Sequence, residues 1–564
     1  MKYPSNPSRL AGLFRAAVSS FAQVFTAACV VTICIPQDAY SQTKKRPNVL
    51  LIVADDMGYS DIGSFGSEIK TPALDALAKE GLQATNFHVL PTCSPSRSVL
   101  LSGMDNHRAG LGTMGEMVTP EMEGVSGYEG YLNFDVAALP EVLKAHDYHT
   151  YMVGKWHLGH DEKTIPFSRG FEETFILVPG GGSHWSDQKG VSPSQPMLYH
   201  RNGKPVKTLP DDFYSTKNYT DNVLEWMQKN EDDGNPFFAY LAYTAPHDPL
   251  HAPKEYIDKY KGMYDDGWDV LREKRFQRLQ ALGIVESGTK PFPRLDSVKA
   301  WDKLTQTEQV EAARDMEVYA AMIDYLDEQI KRVIDYLKAT GEYENTMIVF
   351  ISDNGANGNP PTAYPDQSDE YLNSFDNSLE NRGLPGSFID PGPGWSQASM
   401  APSRLFKGFP AEGGIKAPLL VKLPGKMKNA GQMNHSFFHI RDLMPTILDV
   451  AGVRHDEQFN GGTVLAMQGQ SVLDMFSGNA EAPYAEASQV GYELFGLKAY
   501  FNGDWKVLWM PKPMGKGDWE LFNLKEDPAE LNDLSAENPE KLKELVGQWK
   551  QYQEDNGVLD ISSK

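Results

Sequence analysis

Cys93-Ser94-Pro95-Ser96-Arg97 gathers a thiol, two hydroxyls and a guanidinium into five residues. With Ser94 as N-cap and Pro95 in the first turn, the run through Ser-Val-Leu-Leu-Ser-Gly is expected to form a helix. A side chain at such a helix start meets backbone N–H groups and a partial positive charge, both of which stabilise an anionic oxygen or sulfur. Arg97 then lies about one turn further on. Standing alone, the pentapeptide reads more readily as a small buried cysteine ahead of a helix. Two further pairs, Asp55-Asp56 and Asp353-Asn354, each follow an apolar run directly. Four oxygen-bearing side chains at two strand ends suit one hard cation, Ca²⁺ or Mg²⁺, although both pairs are also ordinary turn formers.

The elements that must position these residues are short apolar runs alternating with helices. Asn48 to Ala54, Phe237 to Tyr243 and Met347 to Ile351 have the two-face-apolar character of parallel strands covered on both sides. Thr71 as N-cap and Pro72 open a helix that ends at Gly81, and residues 306 to 338 form a long amphipathic stretch. This alternation predicts a doubly wound α/β sheet, which holds ligands beyond the carboxyl ends of its strands. From about residue 431 the texture changes. Glu493 to Phe501 and Trp505 to Met510 flank the hairpin signal Asn502-Gly503-Asp504, and Asn538-Pro539 opens a last helix that stops near Gly557. A smaller α+β domain over 431–564, after a catalytic domain over 46–430, is the expected organisation. Residues 357 to 402, rich in Gly, Pro, Ser and Asn, are expected to be a long surface excursion.

The chain has 564 residues, 41% of them apolar, with 53 Lys plus Arg against 76 Asp plus Glu and a net charge of −23. A chain of this size buries at least one large core, which excludes a small stapled scaffold, a disordered tail and a multi-span membrane protein. The acidic balance argues against nucleic acid as a partner, because phosphate backbones are gripped by basic faces. Lys2, Arg9 and Arg15 precede the uncharged run Ala16 to Pro36, and Ala39-Tyr40-Ser41 carries small residues at the cleavage positions. Residues 1–41 therefore read as an export signal for a periplasmic or secreted protein, with a single membrane anchor as the rival. Cys29 and Cys34 fall inside that leader, so Cys93 is the sole thiol of the mature chain.

CSPSRSVLLSG resembles the sulfatase signature Cys-x-Pro-x-Arg followed by a short apolar helix, and Gly154-Lys155-Trp156-His157-Leu158-Gly159 matches that family's second motif. VADDMGYSD, TAPHDP around His247, ISDNG at 351 to 355 and KGFPAEGG at 407 to 414 extend the likeness over nearly all of the mature chain. It is nearest to bacterial Ca²⁺-dependent arylsulfatases, which share the charged helical insertion from near Tyr256 and the segment NHRAGLGTMGE. The resemblance implies an alkaline-phosphatase-like fold: a large mixed, mostly parallel sheet sandwiched by helices, with a smaller C-terminal α+β domain holding a short antiparallel sheet.

In activity, the resemblance implies hydrolysis of sulfate monoesters, aryl sulfates above all, to an alcohol or phenol plus inorganic sulfate. Cys93 would be oxidised by a maturase to formylglycine, whose hydrate attacks sulfur to give a covalent sulfo-enzyme. Asp55, Asp56, Asp353 and Asn354, together with the modified Cys93, would hold one Ca²⁺ per chain, with Mg²⁺ less favoured. Arg97 would steady the hydrate and the carboxylates, and Lys155 and Lys407 would bind sulfate oxygens. His157 would take a proton during sulfate release, and His247 would protonate or hydrogen-bond the departing oxygen. His184 and His251 are expected to be solvated loop residues, and the face Tyr319, Ile323, Leu326, Ile330 to be core. Lys416 stands where Arg is more usual, Ser102 where Thr is, and Asp147 where Gly is. Two alternatives remain open: a phosphomonoester or phosphonate monoester hydrolase with the same layout, and a non-catalytic binder of sulfated glycans.

Overall fold

The computed structural model describes residues 45–231, 233–459, 461–484 and 488–560. The leader over 1–41, with its cleavage near Ser41 and its anchor alternative, lies outside the described residues. Among the described residues no helix is long and apolar enough to cross a membrane.

The main sheet is built from β1 (Asn48–Ala54), β2 (Leu82–His88), β3 (His149–Lys155), β4 (Glu173–Leu177), β5 (Tyr199–Arg201), β6 (Lys204–Val206), β7 (Phe237–Ala242), β8 (Thr346–Ser352), β9 (Lys416–Lys422), β10 (Gln432–Asn434) and β11 (Phe438–His439). Its order is β10-β2-β9-β8-β1-β7-β3-β4-β5-β6, with β11 also on β2. β8, β1, β7, β3 and β4 run parallel. β9 is antiparallel to both β8 and β2, which makes the sheet mixed, as the family resemblance implies.

β1 lies in the middle, and its seven residues are all buried. Val49, Leu51 and Val53 enter one apolar layer, while Leu50, Ile52 and Ala54 enter the other. A continuous apolar run is what a strand covered on both faces requires, and each buried Val, Leu or Ile contributes about 1.5–3 kcal/mol. One layer is filled by α1 (Pro72–Glu80), α3 (Ser215–Lys229) and α4 (Gln306–Ala339). Met316, Tyr319, Ile323, Leu326 and Ile330 of α4 face it, following the helical period. The opposite layer receives α2 (Cys93–Ser102) through Val99, Leu100 and Leu101.

Several local expectations are corrected. Thr71 makes no side-chain cap for α1; the Asp327 carboxylate from α4 instead accepts from the N–H groups of Ala73 and Leu74 at 2.9 and 2.8 Å. α2 begins at Cys93 with extended Thr92 as N-cap, not at Ser94. Pro95 is tolerated as the third helical residue because that N–H has no intrahelical partner anyway. Residues 357–402 are only partly a surface excursion. They contain the helix Gly392–Ser399, whose Trp395 is buried against Trp268 and Trp301, and the buried run Ser387-Phe388-Ile389.

A four-stranded antiparallel sheet follows in the C-terminal region: β12 (Gln489–Leu494), β13 (Leu497–Asn502), β14 (Trp505–Trp509) and β15 (Trp519–Asn523). The expected single strand Glu493 to Phe501 is two, broken at Phe495-Gly496. Both residues have left-handed backbone, φ 55° and 79°, as a two-residue type I′ hairpin demands. One face of this sheet packs on α5 (Pro539–Asn556) through Tyr500, Val507, Leu521, Leu545 and Trp549. The other face, with Val490, Tyr492, Phe501 and Leu508, joins the layer that covers α2.

Candidate active site

The site lies beyond the carboxyl ends of the parallel strands. Asp55 and Asp56 follow β1, Asp353 and Asn354 follow β8, Lys155 ends β3, and His247 lies five residues past β7. Cys93, the first residue of α2, faces them. Ligand atoms of Asp55, Asp56, Cys93 and His247 all lie within 4.8 Å of one another, and all four residues are buried. The Cys93 thiol points at Asp55 Oδ1 (3.4 Å) and Asp56 Oδ1 (3.7 Å). Burial pushes that thiol well above the usual cysteine range.

Three buried cations answer the three carboxylates. Arg97 Nε donates to Asp353 Oδ2 at 2.9 Å, with Nη2 2.7 Å from the same oxygen in an ion pair, and Nη1 donates to the Lys155 carbonyl at 3.0 Å. The Lys155 ammonium donates to both oxygens of Asp55 at 3.0 and 2.8 Å, and the Lys407 ammonium donates to Asp56 Oδ2 at 2.8 Å. Burial alone would raise Asp56, but Lys407, His247 and Lys155 outweigh it and hold this carboxyl well below its ordinary range. Burial works against charge on Lys407 as well; Asp56 reverses that and lifts it well above an ordinary lysine.

The donor set fits a hard divalent cation. Asp55, Asp56, Asp353 and Asn354 offer only oxygen, and the Asn354 amide is already oriented, its Nδ2 donating to Asp56 Oδ1 at 2.6 Å and to the Gly355 carbonyl at 2.9 Å. Its Oδ1 is buried with no hydrogen-bond partner, the kind of orphan that a cation would satisfy. Asp56 itself is held in left-handed backbone at φ 64°, an unusual conformation for a non-glycine residue and one that gathers at functional sites.

The two histidines stand on opposite supports. His247 Nδ1 donates to the Asp248 carbonyl at 2.6 Å, so Nε2, 3.4 Å from Lys407 Nζ and 3.6 Å from Asp56 Oδ2, donates only when the ring is protonated. Burial pushes its pKa down to about 4. His157 Nε2 lies 3.0 Å from both oxygens of Glu116. Gly180 and Gly181 give these rings their space: a Cβ on Gly180 would fall 2.7 Å from His157 Cε1, and one on Gly181 would fall 2.9 Å from His247 Cε1.

All six residues expected to do chemistry and all the expected cation ligands thus converge on one place. Sequence reasoning missed the residues that hold them. The Asp248 carboxylate accepts from Asn357 Nδ2 at 3.0 Å and from the Tyr364 hydroxyl at 2.9 Å, and so braces the His247 loop. Tyr319, read only as core, also donates to the Asp56 carbonyl at 3.2 Å. His184 is buried instead of solvated: Nε2 donates to the His247 carbonyl at 3.1 Å and Nδ1 pairs with Ser215 Oγ at 2.7 Å. His251 is buried too, with Nε2 on the Ser387 carbonyl at 2.9 Å. Spacing signals none of these, because each pairing joins separate segments of the fold.

Cys93, Lys155, His157, His247 and Lys407 open onto a cavity of about 340 Å³. A larger cavity of about 1020 Å³, between the β2 and β9 edge and the C-terminal sheet, includes none of them. Lys416 lines that second cavity, so its departure from the family pattern lies away from the chemistry.

A fold that gathers three carboxylates, an amide, two lysines and two imidazoles around a cysteine at a helix start defines a hydrolase of anionic esters. The family model for sulfatases matches residues 47–453, and a model for the C-terminal region of N-sulphoglucosamine sulphohydrolase matches 404–555. An uncharacterized sulfatase of Schizosaccharomyces pombe is 46% identical over 91% of this chain and 95% of its own length. An arylsulfatase of Klebsiella aerogenes is 39% identical over 79% of this chain and 95% of its own. Among solved structures, Ps i-CgsB superposes with a TM-score of 0.65 at 25% identity, covering 91% of this chain and 94% of that one. The chain belongs to the sulfatase family, and its activity class is sulfuric ester hydrolysis.

Proposed function

We propose that this protein hydrolyses sulfate monoesters of hydrophobic alcohols, aryl sulfates foremost, with the side chain of residue 93 as nucleophile after its oxidation to formylglycine. The convergence of Asp55, Asp56, Asp353 and Asn354 on Cys93 supports this reading most strongly. These four residues, with the modified side chain, would hold a divalent cation, Ca²⁺ in preference to Mg²⁺. Bound there, it would absorb carboxylate charge and polarise a sulfate oxygen.

The chain's own residues do the rest. Arg97, fully buried and locked on Asp353 and on the Lys155 carbonyl, fixes the nucleophile's surroundings. Lys155 and Lys407 supply two positive charges for the transferring sulfate, where a low-dielectric wall strengthens them. His157 accepts a proton from the hydroxyl of residue 93 during sulfate release. His247, whose Nε2 donates only as imidazolium, protonates the departing oxygen, and the anionic ester beside it favours that charged form.

Met114, Met117, Val191, Pro360, Phe409 and Phe495 line the cavity beside Gln195, Asn357 and Asn359, and the apolar part of that lining supports an aromatic or alkyl alcohol. The leader sequence supports export to the periplasm or beyond. Two assays test the whole reading. Peptide mass spectrometry should find the segment containing position 93 lighter by about 18 Da, the difference between CH₂SH and CHO. kcat/KM should be highest on 4-nitrophenyl sulfate, and a preference for 4-nitrophenyl phosphate or for N-acetylglucosamine 6-sulfate would overturn the substrate class.

A further inference from the structure

His157 is held by a single carboxylate, that of Glu116, from a turn whose Met117 also lines the cavity. Glu116 lies in the short turn Gly115–Met117, at the end of the segment Asn-His-Arg-Ala-Gly-Leu-Gly-Thr-Met-Gly-Glu. Both of its oxygens lie 3.0 Å from His157 Nε2. On the other side of the ring, Nδ1 is buried and has no hydrogen-bond partner among the described residues. The ring is packed against Gly180, where a Cβ would fall 2.9 Å from Nε2. Its backbone is fixed at φ 57°, with the N–H donating to the Val178 carbonyl at 3.1 Å.

A neutral imidazole carries one proton, and a carboxylate can only accept. With the proton on Nε2, the ring donates to Glu116 and its lone pair stays on Nδ1; the residue lines the cavity shared with Cys93. With the proton on Nδ1, a lone pair would face two anionic oxygens and a buried N–H would have no acceptor. Glu116 is ionised throughout the working range: burial alone would raise it, but His157 beside it and Lys155 behind it bring it down to about 2.

We infer that Glu116 is a positioning residue that holds His157 as the Nε2–H tautomer and so keeps Nδ1 available as the proton acceptor. The kinetic consequence rests on the role proposed above for His157; the tautomer itself does not. A carboxylate set against an imidazole orients it and raises its basicity, and loss of such a partner typically costs ~10–100-fold in activity.

The test has a spectroscopic arm and a kinetic arm. Long-range ¹H–¹⁵N correlation on the full-length mature protein labelled at histidine, with the His157 signals assigned by their loss in His157→Gln, reads the tautomer directly. The proposal expects the proton on Nε2 alone; a proton on Nδ1, or both tautomers populated, overturns it. In the kinetic arm, Glu116→Ala should lose ~10–100-fold in kcat on 4-nitrophenyl sulfate with KM changed less than about threefold. Glu116→Asp, which keeps the acceptor, should recover part of the rate. Wild-type kcat in Glu116→Ala would also overturn the proposal. Should the protein hydrolyse no sulfate ester, the function reading fails, and the wild-type spectrum still decides the role of Glu116. Should Glu116→Ala not fold, Glu116→Asp and the wild-type spectrum decide it.

Discussion

At the scale of single residues, the site places charge where it would be ruinous without partners. Asp55, Asp56, Asp353, Arg97 and Lys155 are each almost completely buried, and each stands only because another answers it. Cys93 carries no such burden. Cys93→Ala removes one buried sulfur, for which a loss of about 1 kcal/mol or less is expected. It should therefore melt close to wild type while its turnover of 4-nitrophenyl sulfate falls to background. Wild-type turnover in that variant would require another attacking group. His247 makes a subtler prediction, since a phenol of low pKa departs unaided and one of high pKa needs a proton. Across a series of substituted phenyl sulfates, the rate penalty of His247→Ala should steepen with leaving-group pKa. A uniform penalty across the series would remove the acid role from His247.

Elements explain both what could be read in advance and what could not. Asn48–Ala54 and Thr346–Ser352 are unbroken apolar strands, so the acidic pairs that end them were legible as neighbours at one edge of a sheet. The start of α2 was misjudged by two residues because proline is tolerated throughout a first turn. Glu116 and Asp248 were not legible: what they hold depends on strand order and loop packing, which bring Glu116 to a histidine 41 residues away. The β12–β13 turn was hidden for another reason, since Phe495 continues the apolar texture of its flanks although its backbone is left-handed. Phenylalanine is a poor residue there and asparagine a good one, so the apolar side chain that lines the cavity is kept against the turn's own preference. Phe495→Asn should therefore stabilise the fold by about 1 kcal/mol, read as a higher denaturation midpoint, while raising KM for 4-nitrophenyl sulfate. A lower midpoint would show that the Phe495 contacts outweigh the strain of the turn.

At the scale of the whole molecule, a buried histidine joins the C-terminal sheet to the catalytic layer, alongside the Lys506–Glu412 and Arg404–Glu520 pairs. His107, downstream of α2, pairs through Nδ1 with Asp105 Oδ1 at 2.9 Å and through Nε2 with Glu493 Oε2 of β12 at 3.1 Å. Glu493 Oε1 accepts the Gly496 N–H at 2.8 Å, and the Tyr552 hydroxyl of α5 donates to Asp105 Oδ2 at 2.8 Å. A chain of hydrogen bonds thus joins α5, the segment that leads to Glu116, and the turn that presents Phe495. Burial alone would lower the His107 pKa, but the bonds to Asp105 and Glu493 outweigh it and lift it to about 9. The unfolded chain titrates near 6.5. Below that pH both states are protonated and the bridge contributes in full. Between about 6.5 and 9 only the folded state keeps the proton, so stability declines as pH rises, and above 9 the contribution is gone. The loss across that window should be on the order of 2–3 kcal/mol. Denaturant midpoints measured from pH 6 to 9.5 should fall for the wild-type protein, whereas His107→Gln should start lower at pH 6 and stay flatter over the same range. Parallel curves for the two proteins would mean that His107 is not protonated in the fold.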